Sequence, residues 1–186
     1  MPSRFTTLCL ALVLPLAATA NTDRSGHHRH DMPAQPYAGQ QQREIKSLPD
    51  AEIAALLKGD GMGYAKAAEL NGYPGPAHVI ELADALALDD SQRAATRQLM
   101  HQHKARAREL GAALVEAERQ LDRAFAHRHI DERLLSTLTQ RVAELQAQLR
   151  SEHLATHLAQ TRLLTPQQVH RYNEMRGYAA AGGTTE

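Results

Sequence analysis

Histidine is the residue type whose placement here most invites chemistry. The chain of 186 residues carries 11 histidines, and several are grouped. His153 and His157 are four residues apart, the spacing that sets two side chains on one edge of a helix, where they can chelate a single ion. His103 lies on the same helical line as Leu99 and Leu110. If the segments bearing these residues fold back on each other near residues 129–130, His103 comes level with His153 and His157. With Glu152 beside them, His103, His153 and His157 offer borderline-soft nitrogen donors of the kind that take zinc, nickel or copper. The same residues have a plainer use, as a polar side chain in a helix seam and two exposed imidazoles. His27, His28 and His30 form a separate cluster, suited to weak metal binding or to titration near the ordinary imidazole pKa of about 6.5.

A second grouping is cationic. Between Arg93 and Arg108 there are five basic residues and no acidic one. On a helix, Arg93, Arg97, Lys104 and Arg108 fall within about 60° of each other beside an apolar line, with Met100 at its border. Long-range attraction together with aliphatic stems and an adaptable thioether suits the holding of partly folded chains. A solvated helix face is the alternative. Catalytic patterns are missing: there is no Gly-x-Ser-x-Gly elbow and no His-Glu-x-x-His. Gly59-Asp60-Gly61-Met62-Gly63 lacks the Lys-Ser/Thr that a phosphate cradle needs and reads as a hinge. No enzyme is expected.

The elements that must carry these residues follow from composition and period. Aromatic residues are 4% of the chain and Trp is absent, so Ala and Leu must fill the core. That favours closely packed helices over a β-sandwich. Residues 1–20 resemble an export signal: Arg4 precedes the apolar run Leu8 to Leu16, and Ala18-Thr19-Ala20 suits cleavage after Ala20. The single cysteine, Cys9, would leave with it. Basic and acidic residues balance at 21 each, which excludes a globally basic nucleic-acid binder, and no later run is apolar enough for a membrane span. The expected division is a signal at 1–20, a disordered His/Gln-rich arm at 21–44, a helical domain at 45–177 and a disordered tail at 178–186. Within the domain, short helices are expected near 50–58, 64–70 and from Ala77, separated by the rigid turn Asn71-Gly72-Tyr73-Pro74-Gly75-Pro76. Apolar residues at steps of three and four then run over 89–128 and 131–162. The fold class is all-α: a long antiparallel helical hairpin over about 89–163 with shorter flanking helices.

Two helix starts share one grammar. Leu88-Asp89-Asp90-Ser91-Gln92 and Leu164-Thr165-Pro166-Gln167-Gln168 each place a capping oxygen (Asp89, Thr165) three residues before a glutamine (Gln92, Gln168) that reaches back to the cap. The leucines Leu88 and Leu164 can staple each first turn. This twice-repeated Leu-Thr-x-x-Gln-type box, in an exported Ala/Leu/Arg/Gln-rich chain, resembles the Spy/CpxP family of periplasmic proteins. The likeness covers roughly Pro76 to Gly177, with Asp89 standing where the first box usually has Thr. The resemblance implies a homodimeric, cradle-shaped helical protein that binds unfolded clients without ATP, or that senses envelope stress through a membrane sensor kinase. Metal-sensing relatives on the same scaffold imply the runner-up, a periplasmic divalent-metal-binding sensor or resistance accessory protein.

Overall fold

The computed structural model describes residues 35–178. The expected export signal, the expected arm up to residue 34 and the tail after Tyr178 lie outside the described residues. Six α-helices follow in order: α1 (Asp50–Lys58), α2 (Lys66–Glu69), α3 (Pro76–Glu81), α4 (Asp90–Ala126), α5 (Glu132–Arg162) and α6 (Pro166–Met175). No strand occurs among the described residues, and none of their helices is long and apolar enough to cross a membrane.

Helix boundaries follow local chemistry. Asp89 caps α4, its Oδ1 accepting the Gln92 N–H at 2.8 Å while Gln92 Oε1 accepts the Asp89 N–H at 3.2 Å. Thr165 and Gln168 repeat that exchange at the start of α6, where Pro166 takes a position that needs no N–H donor. At the start of α5, Asp131 Oδ1 accepts the Leu134 N–H at 2.7 Å. α1 begins behind Pro49 with Asp50 and Glu52 in its first turn, favourable to the helix dipole, and stops at Gly59, whose φ of 66° is left-handed.

α4 and α5 are 37 and 31 residues long and lie side by side. Their direction is antiparallel, since Gln92 reaches Leu163, Thr96 reaches Gln160 and His103 meets His153. Two apolar clusters pack on this pair, one over its middle and one where α4 begins and α5 ends. One joins Ile45, Leu48 and Leu56 to Ala107, Leu110, Leu114 and Val115 of α4 and to Val142, Leu145 and Leu149 of α5. The other joins Val79, Ala83, Leu86 and Leu88 to Leu164 and Tyr172. Between them the seam is polar: Thr96, His103, His153, Thr156 and Gln160 are all buried.

The end of the expected arm differs from an irregular tail. Gln40–Gln42 form one 3-10 turn, Glu44 pairs with Arg119 of α4 at 3.0 Å, and Lys46 meets Asp122 through both its N–H and its ammonium at 3.0 Å. Contacts remote in sequence hold this stretch, so a search for local apolar period missed it.

Candidate functional site

The glycine-rich stretch after α1 lies across the polar part of the seam. Between it and the long helices is a cleft of about 460 Å³, with Met62, Met100, His103, Lys104, His153 and His157 in its lining. The cleft forms because Gly59, Met62, Gly63 and Gly72 all hold positive φ, which turns the chain sharply over α4 and α5.

The three expected histidines reach this region by different routes. His103 is buried on α4, and its Nδ1–H donates toward Glu152 Oε1 at 3.2 Å and Thr156 Oγ1 at 3.0 Å. A carboxylate can only accept, and the Thr156 hydroxyl already donates to the Glu152 carbonyl, so this nitrogen carries the hydrogen. His153 is 4% exposed and stands edge-on to His103, ring centroids 4.6 Å apart. Its other side stacks on Tyr64 at 5.5 Å, and its Nε2 is buried with no hydrogen-bond partner. His157 turns away: its Nδ1–H donates to the Tyr73 carbonyl at 2.8 Å, and its ring abuts Gly75, where an added Cβ would lie 2.7 Å from Cε1.

This arrangement corrects the expectation of a three-histidine metal site. Among the described residues no group of three or more His, Cys, Asp or Glu side chains is placed to hold a metal ion. One nitrogen each of His103 and His157 is committed to internal hydrogen bonds, while the buried Nε2 of His153 has no hydrogen-bond partner. As placed, the three imidazoles do not offer zinc, nickel or copper a shared site.

Burial sets the protonation state instead. Desolvation, then the neighbouring His103, Lys104 and His157, bring the His153 pKa down to about 4. Desolvation also lowers His103, against the opposing pull of Glu152. Both imidazoles are neutral at pH 7, and their chemistry is that of packed, hydrogen-bonding rings.

The cationic grouping divides. Arg93 folds inward, donating to the Leu88 carbonyl at 3.0 Å, the Ala83 carbonyl at 3.3 Å and Asp84 Oδ1 at 2.8 Å. Lys104 donates to the Gly59 carbonyl at 2.9 Å and to Asp60 Oδ1 at 3.2 Å. These two residues fasten the segments before α4 onto it, so the continuous open band expected of Arg93, Arg97, Met100, Lys104 and Arg108 is interrupted. Arg97 and Arg108 remain exposed, and Met100 is half-buried at the cleft.

The two capping boxes meet. Gln92 Nε2 donates to Gln168 Oε1 at 2.8 Å and Gln168 Nε2 donates back to Gln92 Oε1 at 2.9 Å. Their second hydrogens reach the Leu163 and Leu86 carbonyls. Leu88 and Leu164 are buried beneath in the same cluster. The six residues Leu88, Asp89, Gln92, Leu164, Thr165 and Gln168 therefore form one joint between the ends of α4 and α5.

Sequence reasoning missed Glu69. It accepts from the Tyr172 hydroxyl, approaches Arg176 at 3.5 Å and lies 3.6 Å from His157, tying α2 to α5 and α6. A four-residue helix has no period from which such burial is legible. The stacking of Tyr64 on His153 was also missed, because the two residues are remote along the chain. No known family model, no curated protein and no solved structure matches this chain.

Proposed function

We propose that this protein is an exported, periplasmic, ATP-independent chaperone-like protein that binds non-native polypeptides, working as a homodimer on a Spy/CpxP-like helical hairpin. The observation that carries the reading is the mixed surface of the two long helices. Phe125 (54% exposed), Leu134, Leu135 and Leu158 stand in solvent on the same helix pair as the exposed guanidinium groups of Arg97 and Arg108. Apolar side chains supply undirected contact, and Arg adds charge on a long aliphatic stem. The export signal and the paired Leu-Thr-x-x-Gln-type boxes support the same reading from sequence.

Suppression of aggregation of reduced α-lactalbumin, an acidic and flexible client, tests it. The Arg97→Glu/Arg108→Glu variant is expected to need roughly threefold more protein for equal suppression at low salt, because like charge now repels the client. Equal suppression by the wild type and this variant would remove the charge-guided reading. Sedimentation velocity tests the homodimer, which a single monomeric boundary at tens of micromolar would exclude.

A further inference from the structure

The apolar side of α4 is not open along its middle. Residues 44–60 lie on it and insert Ile45 (0% exposed), Leu48 (7%) and Leu56 (2%) into the cluster around Leu110, Leu114 and Val115. Their polar ties alternate with these insertions. Glu44 pairs with Arg119 at 3.0 Å, Lys46 with Asp122 at 3.0 Å, and Ser47 Oγ donates to Glu118 Oε2 at 2.9 Å. Farther along, Asp60 meets Lys104. The segment thus presents spaced aliphatic side chains with a carboxylate near each end, matched to a leucine surface on which Arg119 and Lys104 stand beside the carboxylates of Glu118 and Asp122.

Three features make this segment the part that can leave. It ends in a hinge, where Gly59, Met62 and Gly63 hold positive φ and Gly61 has open space around it. Its ion pairs all have at least one partner in solvent contact, with Lys46 46%, Glu44 65% and Asp60 49% exposed at the side chain, so each is worth little alone. The pairing of α4 with α5 also has its own seam, from Thr96–Gln160 through His103–His153 to the leucines of both helices.

We propose that residues 44–60 are an autoinhibitory strap seated on an apolar face of α4, and that lifting it adds this face to the exposed client-binding surface, admitting non-native segments of like chemistry, aliphatic side chains flanked by carboxylates. This rests on the chaperone-like reading above. The strap answers to a competing client by mass action: an apolar acidic segment gains the same pockets and the same cations that the strap releases.

A reversible lock separates the strap from the reading beneath it. In a Cys9→Ser background, Ser47→Cys and Glu118→Cys are joined by a periodate-cleavable (vicinal-diol) bismaleimide, which thiols leave intact, and reduced α-lactalbumin is the probe. The expected result is at least a fivefold loss of aggregation suppression on cross-linking and its recovery when the linker is cleaved. A second variant, Arg119→Glu/Asp122→Lys, repels Glu44 and Lys46 and should raise suppression above wild type at the same protein concentration. Locked protein that suppresses as well as the cleaved form overturns the strap and leaves the chaperone-like reading standing. Absence of suppression in every form overturns both. Circular dichroism at pH 7 verifies that each variant keeps its helical content, and a charge-reversed variant that stays helical yet suppresses no better than wild type also counts against the strap.

Discussion

His153 is buried between Tyr64 and His103, and its burial first, then the neighbouring His103, Lys104 and His157, disfavour its protonation. The folded protein holds its pKa at about 4, whereas a free imidazole titrates near 6.5. A base with a depressed folded pKa binds its proton more readily once the chain unfolds. The stability it contributes is therefore complete above about pH 6.5 and falls as pH drops toward 4, levelling off below that. The loss is on the order of 3 kcal/mol, and the lowered His103 adds to it in the same direction. The variant His153→Phe keeps an aromatic ring against Tyr64 but has nothing to titrate. Urea unfolding at pH 7.5 and pH 4.5 is expected to show a markedly smaller pH difference for His153→Phe than for wild type. An identical difference in the two proteins would place the acid sensitivity elsewhere.

The close approach of α1 to α4 belongs to the scale of elements. The end of α1 passes over Gly111 so tightly that a Cβ there would lie 2.2 Å from the Leu56 carbonyl oxygen. In an isolated helix Gly→Ala is stabilising by about 1 kcal/mol. Here the obstacle is backbone, which cannot rotate aside, and the overpacking cost of about 1–3 kcal/mol or more prevails. Gly111→Ala should lower the thermal midpoint and speed hydrogen exchange in α1, while exchange in α6, at the other end of the molecule, changes little. An unchanged or higher midpoint would show that α1 yields without cost. The two glutamines at the helix ends carry a related lesson. Each completes its own capping box, which is local, and then grips the other, which is not.

For the whole molecule, the division of the core into two apolar clusters separated by a polar belt governs how it opens. Leu145 is 2% exposed in the cluster that includes α1 and the middle of α4 and α5. Leu145→Ala is expected to cost about 2–5 kcal/mol through lost transfer energy and the cavity left behind. The belt of Thr96, His103, His153, Thr156 and Gln160 interrupts apolar continuity between the halves. Native-state hydrogen exchange should therefore accelerate more for amides of α1 and the middle of α5 than for those of α3 and α6. Uniform acceleration throughout would mean that the two clusters unfold as one.

Sequence by itself determined the helices, because their causes are local. The steps of three and four from Leu99 to Phe125 and from Leu135 to Leu149 mark α4 and α5, and the residues that cap α4 and α6, with Gly59 and Gly177 at helix ends, lie beside the turns they control. It also brought His103 level with His153, since helical rise fixes which residues face each other across a short bend. Tertiary structure alone decided what those residues do. His157 donates to the Tyr73 carbonyl, Lys104 to the Gly59 carbonyl and Arg93 to the Ala83 carbonyl. In each case the partner is a backbone oxygen, a group every residue carries, so nothing in the side-chain pattern announces it. The seating of residues 44–60 is the largest instance: the helix over 50–58 is legible by itself, but its place on α4 is decided by groups some 45 to 76 positions away.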